Sequence, residues 1–304
     1  MTHPESPTPE APRPARRFTV LLPVLRPPVM LPHAIRSVLR QTEGDIELCI
    51  VGDGAPAETI DAARAFARDD PRVHVFPFAK GARHGEAHRA AVLRGAQSRF
   101  VAQIGDDDLW FADHLARLGR LLARADFVSL PQTRLIDDQT LLSTSFCFDL
   151  RDPASRARML REPFNFFGPS EAGYRLSAYR ALPKGWSPAP PDLPSDLFMW
   201  RKFLTHPGLT FGTGFVPTSL KFGADDWKTI PLTRRAEIIA RWAAVLEDPD
   251  QARALRRRAT RAIAARSPLA ELGPLLLRTP DEGAGLILLR IEHALRRRIG
   301  WARA

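Results

Sequence analysis

At 304 residues the chain is longer than one average domain of roughly 150 and can bury a sizeable core, which excludes a short peptide or a fibrous protein. Its 44 Lys and Arg outweigh 34 Asp and Glu, a formal charge of +10, and its 44% hydrophobic and 26% charged residues form an ordinary globular balance that excludes global disorder. The two cysteines, Cys49 and Cys147, lie far apart with no CxxC or Cys/His cluster, so neither a disulfide framework nor zinc is expected and a reducing, cytoplasmic compartment is.

Residues 1–17 carry Pro4, Pro7, Pro9, Pro12 and Pro14 and almost no large apolar side chain, and they read as a flexible arm. No basic segment leads into an apolar core at the start, and no uninterrupted run of ~18 apolar residues occurs, so neither a signal peptide nor a membrane span is expected. From Phe18 onward short apolar runs alternate with helical periods, the pattern of βαβ units and a mostly parallel sheet sandwiched by helices. Strands are predicted at 18–25, 46–52, 73–78, 100–104 and 126–130. Leu31, Ala34, Ile35, Val38 and Leu39 form one apolar stripe of a first helix, and further helices are predicted near 57–68, 86–97 and 112–124. Residues 18–125 thus read as a nucleotide-binding α/β half.

Past Pro131 the alternation becomes irregular, with possible strands at 144–148 and 216–222, a Pro-rich loop over 187–194 and a helix starting near Ser195. Residues 126–228 read as an acceptor-binding half that completes the sheet. Residues 229–304 turn helical and basic, with 15 Arg against 8 acidic residues. Within them Ile287, Leu288, Ile291, Leu295 and Ile299 share a helical face opposite Arg290, Arg296 and Arg297, a pattern that suits packing on the chain's own domain or peripheral contact with an anionic membrane. No module that reads nucleic acid is present, so no nucleic-acid partner is expected.

Asp106-Asp107-Asp108 follow directly on the strand at 100–104, at the C-terminal end of a central strand, where open α/β sheets bind ligands. Carboxylates packed so closely repel one another, and a hard divalent ion, Mn²⁺ or Mg²⁺, relieves the repulsion. A solvated acidic turn capping the next helix would use the same residues. Asp53, at the end of the strand at 46–52, suits a hydrogen bond to a nucleoside or, equally, a turn beside flexible glycines. The Gly52-Asp53-Gly54-Ala55-Pro56-Ala57 run follows the wrong strand for a dinucleotide fingerprint, and no P-loop motif occurs.

Taken in order, several segments resemble the family 2 glycosyltransferases of the GT-A fold. They are Thr19-Val20-Leu21-Leu22-Pro23-Val24 with Ser37-Val38-Leu39-Arg40-Gln41-Thr42, then Glu47 through Gly54, then Gly85-Glu86-Ala87-His88-Arg89, and finally Asp106-Asp107-Asp108-Leu109-Trp110-Phe111. Gly52 replaces an Asp, and His88-Arg89 an Arg-Asn pair, of the family pattern. Ser195-Asp196-Leu197-Phe198-Met199-Trp200 resembles the acceptor-side motif, and Pro217 through Phe222 a later segment, with Lys221 where family members often carry His. The resemblance implies an inverting, metal-dependent transfer of a sugar from a nucleotide-sugar donor to a saccharide or lipid-linked acceptor, in surface polysaccharide or glycoconjugate synthesis. Pro23, Asp53 and Asp106 would bind the nucleotide, Asp106, Asp107 and Asp108 the metal, and His88, Arg89 and Lys221 the diphosphate. Asp196 would be the general base. The departures leave room for a GT-A-like domain that binds nucleotide or partners without transferring sugar.

Overall fold

Strand β1 (Phe18–Val24) is apolar at nearly every position because both of its faces are covered: Phe18, Val20 and Leu22 enter one core and Leu21 the other, all fully excluded from solvent. The protein is described from a computed structural model over residues 13–135, 141–143, 148–222 and 229–265. On one side β1 pairs in parallel with β2 (Ile46–Asp53), and β2 with β3 (Val73–Phe78); on the other it pairs in parallel with β4 (Phe100–Gln103). The crossovers are α1 (Leu31–Leu39), α2 (Ala57–Asp69) and α3 (Glu86–Arg94), as the apolar periodicity predicts. Leu31, Ala34, Ile35 and Val38 of the α1 stripe are buried.

The sheet has seven strands, ordered β10-β6-β9-β4-β1-β2-β3. Its outer part comes from the second half of the chain: β6 (Phe127–Ser129) and β10 (Phe211–Thr213) are parallel to each other, and β9 (Ala172–Arg175) runs antiparallel between β6 and β4. Strand β9 escapes the sequence reading, since it is four residues long and contains a glycine. Gly173 is required there by packing, because a Cβ would lie 2.6 Å from Leu118 Cδ2 in α4 (His114–Leu122).

A second sheet, β5-β11-β7-β8, combines β5 (Asp108–Trp110), β7 (Gln132–Leu135), β8 (Leu141–Ser143) and β11 (Ser219–Phe222). The strand predicted at 216–222 is shorter and belongs here, while most of the one predicted at 144–148 lies outside the described residues. Helix α5 (Pro153–Arg161), a short α6 (Leu176–Ala181) and α7 (Ser195–Thr205) complete the second half of the chain. Helices α8 (Leu232–Glu247) and α9 (Pro249–Ala265) press Ile238, Ile239, Trp242 and Leu255 against Leu109, Phe111, Leu220 and Phe222 of the second sheet. The basic C-terminal region is thus packed on the rest of the chain as far as Thr260, and the amphipathic 287–299 stretch lies outside the described residues. No helix among the described residues is long and apolar enough to cross a membrane.

Arg13, which composition assigns to the arm, is buried. Its Nε donates to Glu47 Oε2 at 2.6 Å and its Nη2 to the Val92 carbonyl at 2.8 Å, fastening the chain's entry to β2 and α3. Glu47, in a central strand, needs a cation to be tolerated there.

Candidate active site

Asp53 closes β2 and is 4% exposed. Its Oδ1 accepts from the Gly81 amide and its Oδ2 from Lys80 Nζ, both at 2.7 Å, and His88 Nε2 lies 3.3 Å away. Burial pushes the Asp53 pKa up, but the Lys80 and Gly81 bonds and the charges of Lys80 and His88 outweigh it and hold the carboxyl below its usual range. The surrounding loop closes tightly. Gly85 sits at φ +68°, and a Cβ there would stand 2.9 Å from Asp53 Cγ. His88 stacks on Phe78 with ring centroids 4.5 Å apart. Pro23 lies half-buried near the end of β1, in register with Val51.

The Asp triplet does not cap a helix. Asp108 begins strand β5, and α4 starts only at His114, behind Asp113. Asp106 and Asp108 are buried rather than solvated. Arg26, from the loop after β1, spans two carboxylates: its Nε and Nη2 donate to Asp106 and its Nη1 to Asp107 Oδ2 at 3.0 Å. Asp108 accepts from Ser170 Oγ, and Ser170 also takes the Gly105 amide at 3.0 Å, so one serine ties the triplet to a 3-10 turn at Pro169–Glu171. Burial pushes the Asp108 carboxyl up to about 6 against the attraction of Lys221, and burial raises Asp106 as well, against Arg26.

The donor set suits a hard divalent ion in part. Among the described residues no three His, Cys, Asp or Glu side chains converge as a ready metal cluster. Asp106 and Asp107 nevertheless present oxygens to a single cation, the Arg26 guanidinium, and two carboxylates completed by phosphate oxygens and water are a sufficient protein contribution for Mg²⁺-type coordination.

Asp196 is the second residue of α7, partly exposed. Its Oδ2 accepts from Asn165 Nδ2 at 2.5 Å and its Oδ1 from the Leu197 amide at 3.0 Å. Crowding by protein pushes its pKa up, while the Leu197 amide, Lys221 and Arg89 pull it down less strongly. Arg89 is buried beneath this helix, 4.1 Å over the Trp186 ring, with Nη2 donating to Ser195 Oγ at 3.3 Å and to the His84 carbonyl at 3.2 Å. Burial lowers its pKa. Glu86, Asp196 and Asp53 act on its charge in the opposite sense.

Lys221, on β11, stands in register opposite Asp108. Asp108 raises its pKa most, with further contributions from Glu171, Asp107 and Asp196. Lys221 thus lies within electrostatic reach of both the triplet and Asp196, and Arg89 within reach of both Asp196 and Asp53. Arg26, Lys80, Asn165 and Ser170 escape the sequence reading. The one signal available was Asn165 and Ser170 flanking the Phe166-Phe167-Gly168-Pro169 stretch, whose turn residues suggest a loop but not its partner.

The chain matches the family model described as glycosyl transferase family 2 over residues 19–182, more than half of its length. It is 29% identical over 177 residues to a PGL/p-HBAD biosynthesis glycosyltransferase of Mycobacterium bovis, covering 54% of this chain and 67% of that one. Over 112 residues it is 29% identical to the succinoglycan biosynthesis protein ExoW of Rhizobium meliloti, covering 36% and 35% of the two chains. Among solved structures it resembles S. aureus TarS 1–349 with a TM-score of 0.55 at 12% identity, covering 94% of this chain and 93% of that one. The UDP complex of TarS 1–349 gives a TM-score of 0.53 at the same identity and coverage. A seven-stranded, mostly parallel sheet matching GT-A structures, together with the family match, identifies the chain as a glycosyltransferase of family 2.

Proposed function

We propose that the protein transfers a sugar from a nucleoside-diphosphate donor to an acceptor hydroxyl with inversion at the sugar carbon, in surface polysaccharide or glycoconjugate synthesis. The observation that carries this reading is the place of Lys221: it stands in register opposite Asp108, and its Nζ lies 3.7 Å from where a Cβ on Gly168 would be, three residues after the Asn165 that donates to Asp196.

Asp53, charged and rigidly held, accepts a hydrogen bond from the nucleoside. Pro23 lines the same strand end. Asp106 and Asp107, with Asp108 behind them, would hold a divalent ion, Mn²⁺ or Mg²⁺, which when bound supplies Lewis-acid neutralisation of the diphosphate leaving group. Lys221 adds a point charge on the phosphate side, and His88 and Arg89 add cationic character from the floor of the cleft. Asp196 receives the proton of the attacking hydroxyl, and its raised pKa makes it a better proton acceptor than an exposed aspartate would be. Asn165 fixes which oxygen faces the acceptor. Direct displacement follows, since one base and one neutralised leaving group require no covalent intermediate on the protein.

The relatives named for PGL/p-HBAD and succinoglycan biosynthesis support a saccharide or lipid-linked acceptor. The wide separation of Cys49 and Cys147 and the lack of any CxxC pair favour a reducing, cytoplasmic compartment, with the amphipathic 287–299 stretch a candidate for contact with the inner membrane face. Calorimetric titration with UDP, GDP and dTDP, each with and without Mn²⁺, tests the reading. Metal-dependent binding of one nucleotide, lost in Asp106→Ala/Asp108→Ala, is expected; no binding of any nucleotide would leave a GT-A domain without transferase function.

A further inference from the structure

The loop that grips Asp53 also grips the loop that delivers Asp196, and one side chain joins the two. Arg83 is the one non-glycine residue with positive φ, +57°, among the described residues. That conformation is unfavourable for a residue with a Cβ and persists only where its surroundings enforce it. Its Nη2 faces three backbone carbonyls, those of Pro190 at 3.0 Å, Leu193 at 3.3 Å and Pro191 at 3.4 Å. These belong to the loop that enters α7 through Pro194, two residues before Asp196. Pro188, Pro190, Pro191 and Pro194 have no N–H, so this stretch is short of donors of its own: the Leu193 amide reaches the Pro190 carbonyl at 3.1 Å, and the Arg83 guanidinium supplies a donor from outside.

From the other side Lys80 Nζ donates to Asp53 Oδ2 at 2.7 Å and to the carbonyls of Gly81 and Arg83, both at 2.9 Å. A continuous path therefore runs from Asp53 through Lys80 to the Arg83 backbone, and through its guanidinium to the 187–194 loop. A nucleoside that hydrogen-bonds Asp53 competes with Lys80 and the Gly81 amide, and any adjustment of that loop reaches Arg83 directly.

We propose that Arg83 is a positioning residue that couples the nucleoside pocket at Asp53 to the loop carrying Asp196. The coupling rests on the roles given above to Asp53 and Asp196.

Hydrogen exchange on the full chain, read on the peptide containing Leu193, Ser195 and Asp196, tests it without any nucleotide. Four proteins are compared: wild type, Lys80→Ala, Arg83→Gly and the double variant. Glycine is chosen because it relieves the left-handed backbone, so whatever is lost belongs to the guanidinium. Each single substitution is expected to speed exchange about ten-fold, and the double variant to exchange no faster than Arg83→Gly alone. Additive effects, or a loop indifferent to Lys80→Ala, would overturn the coupling. Arg83→Lys, which keeps the charge but not the reach to three carbonyls, provides the same comparison if the glycine variant unfolds. In turnover, Arg83→Gly is expected to lower kcat about ten-fold with donor affinity within two-fold of wild type; a merely structural role would lower the melting temperature and both constants together. Failure of UDP, GDP and dTDP to bind wild type would strike the donor-site reading, whereas additive exchange strikes the coupling alone.

Discussion

His114→Phe should reverse its effect on stability with pH. His114 is fully buried, stacked on Trp110 with ring centroids 4.1 Å apart, and its Nδ1 lies 2.8 Å from Thr218 Oγ1. Burial pushes its pKa down to about 3, from an ordinary 6.5. The unfolded chain therefore takes up this proton first, and stability is lost as pH falls from 6.5 toward 3, at about 1.4 kcal/mol per unit. Between about pH 7.5 and pH 5 the wild type should lose ~2 kcal/mol through this residue. Phenylalanine keeps the stack and fills the space of the unpartnered Nε2, but it leaves the buried Thr218 hydroxyl without the ring nitrogen, a cost of about 1 kcal/mol. The variant should thus be the less stable protein at ~pH 7.5 and the more stable at ~pH 5, with curves crossing near pH 6. Urea unfolding midpoints across that range check the crossing. Parallel curves, with the wild type above throughout, would show that His114 does not stay neutral in the folded core.

Asp196→Asn should reduce turnover by at least ~100-fold while calorimetric donor affinity stays near wild type, because asparagine keeps the Asn165 contact but cannot take the proton. Arg26→Gln removes the cation shared by Asp106 and Asp107, so Mn²⁺ titrated into nucleotide-free protein and followed by electron paramagnetic resonance should bind about ten-fold tighter; unchanged or weaker binding would mean Arg26 does not compete for that place. Gly85→Ala, at φ +68° and pressed on Asp53, should cost about 1–2 kcal/mol by thermal melting and weaken nucleotide binding. Arg13→Met should destabilise by about 3–5 kcal/mol in urea titration, since it strands the buried Glu47 carboxylate.

The first half of the fold was legible because its strands are buried on both faces and so appear as unbroken apolar runs; the edges of β1, β2 and β4 differ from the sequence reading by one residue each. Strands β5, β7 and β9 were hidden. Each is three or four residues long and carries Asp, Arg or Gly, so no two-residue period could develop. The acidic stations were visible as local motifs at strand ends. Their partners were not, because Arg26 meets Asp106 across 80 residues of chain and Ser170 meets Asp108 across 62, and no local pattern encodes such a meeting. The helix-capping reading of the triplet failed for a related reason. The strand Asp108–Trp110 exists because Ser219–Lys221 pairs with it, and that partner arrives more than a hundred residues later.

The same long-range pairing dictates when the enzyme becomes competent during its own synthesis. By the time Asp108 leaves the ribosome, the strands β1 to β4 are complete, but β11 and the helices that brace it, with Arg256 of α9 donating to Asp113, are still to be made. A nascent chain would hold Asp53 at the end of a completed β2 beside an unfinished acidic strand whose carboxylates have no Lys221 to balance them. The surroundings of Asp108 are thus assembled last, and a chain truncated before α9 should be unable to transfer sugar from any donor it manages to hold.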